Sequence, residues 1–263
     1  MDRELALAIE VAREAGALLL ERFGAHLSFE QKARRNDLVT EADRASEALI
    51  VSRIRAASPA ATIVGEEGGI RTGSSDERWF VDPLDGTTNF AHTHPLFCVS
   101  IACERADELI AAVVYAPKLG ELYAAEHGAG GRVIGRDGAA APLRVSPVER
   151  VAEALLCTGF APGGFDQNLP YFASLSKVAH AVRRDGTAAL DLAFTAAGRY
   201  DGFWEWALGP WDVAAGTLLV REAGGVVSAI DGSRLDLFSG SILASNGRIH
   251  AESSERMAQV RVA

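Results

Sequence analysis

Only three cysteines occur in the 263 residues, Cys98, Cys103 and Cys157, and their number and spacing match neither a disulfide framework nor a structural zinc site. They read as reduced, buried thiols. No uninterrupted apolar stretch approaches the ~20 residues needed to cross a bilayer. The opening Met1-Asp2-Arg3-Glu4 carries charge where a secretory leader would carry an apolar run. Positive charge is in deficit: 26 Lys and Arg against 35 Asp and Glu leave a formal charge of −9. That balance argues against a nucleic-acid or anionic-membrane partner, either of which favours a basic surface. The six histidines show no metal-ligand spacing, and His92 and His94, two apart, read as loop or core residues. No internal repeat or low-complexity tract is present. What remains, 48% hydrophobic and 23% charged, is the composition of a soluble cytoplasmic globular protein. A chain of this length buries roughly three quarters of its unfolded surface without help from cross-links.

Hydrophobic spacing sets the elements. Leu5, Ile9, Ala12, Gly16, Leu19 and Phe23 recur at intervals of three or four and predict a helix that stops at Gly24. A short strand is expected over 27–29. Thr40 and Asp43 have capping-box spacing and open a second helix, with Leu49, Ile50 and Ile54 on its apolar face and Pro59 as its end. Strand-like runs follow at 61–64, 79–81, 97–103, 109–115 and 121–125, and their short links predict an antiparallel meander. The polar stretch 71–78 reads as a mobile loop. Beyond residue 147 the pattern predicts a buried strand at 154–158, helices at 168–179, 187–197 and 211–223, and strands at 225–230 and 241–244. Layers of helix and sheet are therefore expected throughout one domain, 1–263, whose two closely packed lobes, about 1–146 and 147–263, meet near residues 142–147.

The most informative stretch is Trp79-Phe80-Val81-Asp82-Pro83-Leu84-Asp85-Gly86-Thr87-Thr88-Asn89-Phe90. A hydrophobic strand runs into two aspartates. Proline, which cannot donate to a ladder, is expected to take the chain out of the strand there. Asp82 and Asp85 then stand close enough to share hard cations through oxygen ligands. Gly86 permits close backbone approach, and the amides after it can open a helix facing an anion. A surface Asp-Pro-x-Asp-Gly turn accounts for the same residues. Three further acidic groups flank the motif, however: Asp37 to Asp43 at a helix start, Glu66-Glu67 after a short apolar strand, and Asp212 at the head of another helix. Singly, each serves as a helix cap or solvated turn residue; jointly they point to a cation-binding phosphate site.

Glu66-Glu67 after Ile63-Val64-Gly65, the Asp82 to Phe90 motif, and Trp211-Asp212-Val213-Ala214-Ala215-Gly216 resemble the inositol monophosphatase family, and the likeness extends to Ser241-Ile242-Leu243-Ala244-Ser245-Asn246. The resemblance implies a layered αβαβα fold of the inositol monophosphatase and fructose-1,6-bisphosphatase type, a cytoplasmic homodimer, and a lithium-sensitive phosphatase using two or three Mg²⁺ ions. Carried over by position, Glu66, Asp82 and the Leu84 carbonyl hold one ion, and Asp82, Asp85 and Asp212 hold another. Thr87, hydrogen-bonded to Asp43, orients the attacking water, and the Gly86 and Thr87 amides steady the phosphate. Catalytic roles thus fall to Asp43, Thr87 and Glu66. Gly186, Thr187 and Ala188 would face the substrate ring together with Asp85, Asp212 and Glu205, the last at the position that binds a ring hydroxyl. The alternative for Glu205 is a surface acid between aromatics. The residue after Asp85-Gly86-Thr87 is Thr88, where branches acting on 3′-phosphoadenosine 5′-phosphate or histidinol phosphate more often place lysine. Inositol 1-phosphate is therefore the expected substrate, with histidinol phosphate, fructose 1,6-bisphosphate and 3′-phosphoadenosine 5′-phosphate as alternatives, and a non-catalytic metal-binding regulator as the reading from another class. Lys32 reads as a surface residue, Arg183-Arg184-Asp185 as a solvated strand end or a charge patch. Trp204, Trp206 and Trp211 read as packing or pocket walls. Gly209, where many relatives carry a basic or polar residue, leaves the leaving-group preference open.

Overall fold

The computed structural model describes residues 2–24, 29–31, 38–160 and 165–260. The chain begins with helix α1 (Arg3–Arg22), the short strands β1 (Phe29–Gln31) and β2 (Leu38–Thr40), and helix α2 (Glu41–Ala57). Strands β3 (Thr62–Gly65), β4 (Gly69–Arg71) and β5 (Glu77–Asp85) follow, then the single-turn helix α3 (Thr87–Ala91). The meander continues through β6 (Cys98–Arg105), β7 (Glu108–Ala116), β8 (Glu121–Glu126), β9 (Gly130–Ile134) and β10 (Ala140–Pro142). The second half comprises β11 (Leu155–Thr158), α4 (Phe165–Leu175), β12 (Ala181–Arg183), α5 (Ala188–Ala196), β13 (Gly202–Trp206), α6 (Pro210–Glu222), β14 (Val226–Ser228), β15 (Ser241–Ser245) and α7 (His250–Ala258).

Strands β3 to β10 form one eight-stranded sheet in the order β10-β9-β8-β7-β6-β5-β3-β4, and β11 to β15 form a second in the order β12-β11-β13-β15-β14. The antiparallel expectation holds from β5 to β10. It fails at β3, which pairs parallel to β5. In the second sheet β11 runs parallel to both β12 and β13 across connections that carry α4 and α5.

Side-chain alternation along the strands generates three cores. Trp79 and Val81 of β5 with Val99 and Ile101 of β6 pack against Leu5, Val11 and Leu19 of α1 and Ile50 and Ile54 of α2. From the opposite face of the same sheet Phe80, Ala102 and Val114 meet α5 and α6, which also cover Cys157, Phe203 and Ile242 of the second sheet. Leu156, Trp204 and Leu243 point the other way, towards Tyr171 and Leu175 of α4 and Met257 of α7. The order of layers is α1α2, sheet, α5α6, sheet, α4α7, the expected αβαβα stack.

Several boundaries move. The expected 27–29 strand is β1, and residues 25–28, Lys32 and Asp37 lie outside the described residues. The polar segment 71–78 is strand at both ends, with Arg71 closing β4 and Arg78 in β5, where it pairs with Glu104 at 2.9 Å. Helix α4 starts three residues earlier than Asn168 and keeps Pro170 inside it. Asn168 is buried, donates to Thr158 Oγ1 at 2.9 Å and accepts from Trp204 Nε1 at 2.7 Å. All three cysteines are free and buried. None of the described helices is long and apolar enough to cross a membrane.

Candidate active site

The geometry of the site begins with a β-bulge. Asp82 pairs with Ser100 and Asp85 with Cys98, so two residues of β5, Pro83 and Leu84, stand against the single Val99 of β6. Residues i and i+3 of a regular strand point to opposite faces; the extra residue restores parity. Leu84 therefore joins Val81 and Trp79 in the core beneath α1 and α2, while Asp82 and Asp85 both face the α5α6 layer. This corrects the expectation that Pro83 ends the strand: β5 runs on to Asp85, because a bulged position needs no ladder N–H from proline. Gly86 then turns the chain with φ +90°, and a Cβ there would stand 3.1 Å from the Leu96 carbonyl, so the position requires glycine.

Helix α2 holds the acidic turns in place along one face. Its capping box is present, with Thr40 Oγ1 and N–H both donating to Asp43 Oδ2 at 2.5 and 2.8 Å. The other carboxylate oxygen of Asp43 accepts from the Thr87 hydroxyl at 2.9 Å, across 44 residues of chain. Thr87 Oγ1 also lies 3.1 Å from the Leu84 carbonyl. One turn on, Ser46 donates to the Pro83 carbonyl at 2.8 Å and so ties down the bulge. Beside it Glu47, 3% exposed, accepts from the Glu67 and Gly68 amides at 2.8 and 3.1 Å and from Arg71 at 2.6 Å. A Cβ at Gly68 would fall 1.8 Å from that Arg71 guanidinium. Glu47 thus fixes the turn that carries Glu66. Reading the sequence missed Glu47, although its place four residues after Asp43 put it on the same helix face.

Asp212 arrives from the third direction. Pro210 and the Gly209 amide, which donates to Asp212 Oδ2 at 2.6 Å, set it in the first turn of α6, and Ser100 of β6 donates to the Trp211 carbonyl at 3.1 Å. Gly209 has a local reason, since a Cβ there would meet the Trp211 ring. One carboxylate oxygen from each of Asp82, Asp85 and Asp212 lies within 4.8 Å of the other two. Glu66 stands outside that trio, near enough to repel it. Burial and then the charges of Glu66, Asp85 and Asp212 push the Asp82 carboxyl well above its ordinary range. Burial, Asp85 and Glu66 do the same to Asp212. Burial raises Asp85 to about 6 against hydrogen bonds from Ala189, Thr187, Cys98 and Ala188. Burial likewise raises Asp43, with its threonine partners pulling the other way.

None of the ion pairs among the described residues reaches Asp82, Asp85 or Asp212. Three crowded carboxylates, Asp82 and Asp85 buried and Asp212 half-buried, with no positive partner among the described residues and all oxygen donors, fit hard divalent cations. The pH dependence of stability follows. An acid whose pKa is raised in the folded state binds more protons folded than unfolded between the two pKa values, so stability falls as pH rises through that interval. For Asp85 the interval runs from 3.8 to about 6, and Asp82 and Asp212 extend it upward. In chelator the melting temperature is expected to decline as pH rises from about 4 through about 6 and beyond. With saturating divalent cation that decline should largely disappear, because the cation replaces the protons. Melts across pH with and without chelator measure this, and a flat chelated series would contradict the assignment.

Gly186 and Thr187 lead into α5, whose N-terminus meets Asp85: Thr187 caps the helix and the Ala189 amide donates to Asp85 Oδ2 at 2.7 Å. That amide is committed to the carboxylate. Asn89 of α3 joins the two loops by donating to the carbonyls of Leu96 and Asp185 at 2.7 and 2.8 Å. Glu205 lies on β13 between Trp204 and Trp206, which face α4 and α7, so alternation turns it with Phe203 to the inner face. It is 5% exposed, which removes the alternative of a surface acid, and a Cβ on Gly159 would stand 2.2 Å from its carboxylate. Trp204 and Trp206 are packing residues, and Trp211, in the first turn of α6, packs against the core between the two sheets. His92 and His94 are exposed in the loop after α3, and Arg184, at the exposed end of β12, lies over the Phe160 ring at 5.7 Å.

The comparisons with known proteins agree with this geometry. Residues 1–262 match the inositol monophosphatase family. An inositol-1-monophosphatase from Synechocystis is 44% identical over 97% of this chain and 88% of its own length. A Nus factor SuhB from Pseudomonas aeruginosa is 46% identical over 94% of this chain and 92% of its own. The solved structure of a Thermotoga maritima IMPase superposes with a TM-score of 0.90 at 36% identity, covering 98% of both chains. Matched along almost its whole length in both sequence and fold, the chain belongs to the inositol monophosphatase family, a family of metal-dependent phosphatases, and is a phosphatase.

Proposed function

We propose that this phosphatase hydrolyses inositol 1-phosphate to inositol and phosphate with Mg²⁺ as its cation. The observation that carries the reading is the pairing of an oxygen-only trio, Asp82, Asp85 and Asp212, with a Thr87–Asp43 hydrogen bond at its edge. Glu66, Asp82 and the Leu84 carbonyl would hold one ion, and Asp82, Asp85 and Asp212 a second. Bound there, Mg²⁺ supplies positive charge against the phosphoryl oxygens and acidity to a water. The chain's own groups do the rest. Thr87 directs its single O–H at Asp43 as a hydrogen bond and so presents a lone pair to the attacking water. The Gly86 and Thr87 amides at the start of α3 steady the phosphate, and the bulge fixes both aspartates before substrate arrives.

Two features favour a polyol. Glu205 is a buried acceptor on the inner face, able to keep a ring hydroxyl hydrogen-bonded as it leaves water. The Gly186–Thr187 segment lines the approach to Asp85. The relatives named inositol-1-monophosphatase point the same way. Phosphate release from inositol 1-phosphate, histidinol phosphate, fructose 1,6-bisphosphate and 3′-phosphoadenosine 5′-phosphate, each with Mg²⁺, with EDTA and with Li⁺, tests the reading. Preference for another member discards the substrate and keeps the chemistry; no Mg²⁺-dependent release from any would favour a non-catalytic regulator.

Glu205→Gln is expected to lower kcat/KM for inositol 1-phosphate by about tenfold, the loss of a charged acceptor, and to spare an aryl phosphate. Equal loss on both removes Glu205 from specificity. Glu47→Gln should raise the Mg²⁺ concentration for half-maximal rate by about tenfold, since it loosens the turn that carries Glu66, while kcat at saturating Mg²⁺ stays close to wild type. A Mg²⁺ titration of initial rate separates that outcome from general damage, which would lower kcat.

A further inference from the structure

A second convergence of donors lies against α5. Cys157 is in β11, Asp185 in the loop between β12 and α5, and Asp191 in the first turn of α5, and one donor atom of each lies within 4.8 Å of the other two. Cys157 and Asp191 are 0% exposed and Asp185 is half-buried. A separate observation singles out this cluster. Neither carboxylate oxygen of Asp191 has a hydrogen-bond partner among the described residues. The thiol it faces is only a weak donor, and the charges of Asp185 and Glu205 press on it. No ion pair among the described residues reaches Asp185 or Asp191. A buried carboxyl is normally satisfied by hydrogen bonds, a cation or both.

We propose that Cys157, Asp185 and Asp191 form a second cation site, separate from the catalytic trio and suited to a borderline-soft divalent ion such as Zn²⁺. Sulfur in the donor set selects against Mg²⁺, which takes oxygen ligands, and towards metals that accept a thiolate. Zinc bonds of ~2.3 Å to sulfur and ~2.1 Å to oxygen put tetrahedral donors roughly 3.5 Å apart, a closing of about 1 Å from the outer limit of the cluster. The surroundings orient the ligands: Tyr200 donates its hydroxyl to Asp185 Oδ2, and Asn89 Nδ2 holds the Asp185 carbonyl at 2.8 Å. Binding displaces the thiol proton and the proton that burial favours on Asp191, so affinity rises with pH.

The test uses the full chain with saturating Mg²⁺ and Co²⁺ as the probe. Cobalt bound by a thiolate absorbs in the near ultraviolet through sulfur-to-metal charge transfer, and cobalt bound by carboxylates alone does not. The band is expected in the wild-type chain, displaced by Zn²⁺, lost in Cys157→Ser, and retained in Cys98→Ser, the thiol that faces Asp85. The near-isosteric Asp191→Asn should weaken Co²⁺ binding by about tenfold or more. Absence of the band from the wild-type chain, or its survival in Cys157→Ser, overturns the site. Should Cys157→Ser fail to fold, the wild-type band and the Asp191→Asn titration decide.

Discussion

Asp82→Asn is expected to lower kcat/KM by on the order of 10⁴-fold and, at the same time, to make the metal-free protein more stable. The two effects share one cause. Asp82 is 2% exposed, its pKa raised by burial and then by Glu66, Asp85 and Asp212, and without a cation its charge is opposed by that burial and repulsion, which the Leu84 amide offsets in part. The amide keeps the size of the side chain and the acceptor for the Leu84 amide, now 3.0 Å from Oδ1, but removes the charge shared between two ion seats. Removing about 1 kcal/mol of repulsion would raise the chelated melting temperature by about 2–4 °C in a chain of this size. Turnover with inositol 1-phosphate and melting in EDTA, measured on one preparation, check both halves. A variant within tenfold of wild-type activity would mean the cation seat lies elsewhere.

Thr87→Ala is expected to reduce kcat by about 10²–10³-fold with KM nearly unchanged. The hydroxyl donates a hydrogen bond to Asp43 Oδ1 at 2.9 Å, and in the proposed mechanism its lone pair is thereby turned to the water. Thr87→Ser, which keeps that hydroxyl, should recover most of the rate. Single-turnover kinetics place the loss in the chemical step. A rise in KM at constant kcat would make Thr87 a binding residue. Asp43→Asn keeps an acceptor for Thr87 and should cost less than the loss of the hydroxyl itself.

These residues were legible in unequal degree. Helices α1, α2, α5 and α6 show in the apolar spacing, and the Thr40–Asp43 capping box was readable because it lies within four residues. Strands β9, β10 and β12 were not, since segments such as Gly130–Ile134 are short and rich in glycine and arginine, and pairing rather than propensity makes them strands. Helix α7 was missed because its polar sequence, His250–Ala258, buries only Ser253 and Met257. The parallel pairing of β3 with β5 and of β11 with β12 and β13 depends on neighbours distant in sequence. The acids of the candidate site were visible through their motifs. The Cys157–Asp191 proximity was not, because it joins a strand to a helix 34 residues on. Glu47 fell between: its helix face was inferable, its partners at Glu67, Gly68 and Arg71 were not.

The two-for-one pairing between Asp82 and Asp85 makes this motif tolerant of changes in residue and intolerant of changes in length. Deleting either Pro83 or Leu84 would let β5 and β6 pair without interruption, and everything beyond would turn over by half a period. Asp85 would then point among Val81, Val99 and the apolar residues of α1 and α2, and the α5 amide it now receives would lose its acceptor. Drift in this stretch is therefore confined to substitutions, and a chain that lost one residue here would have to rebuild both faces of the sheet at once.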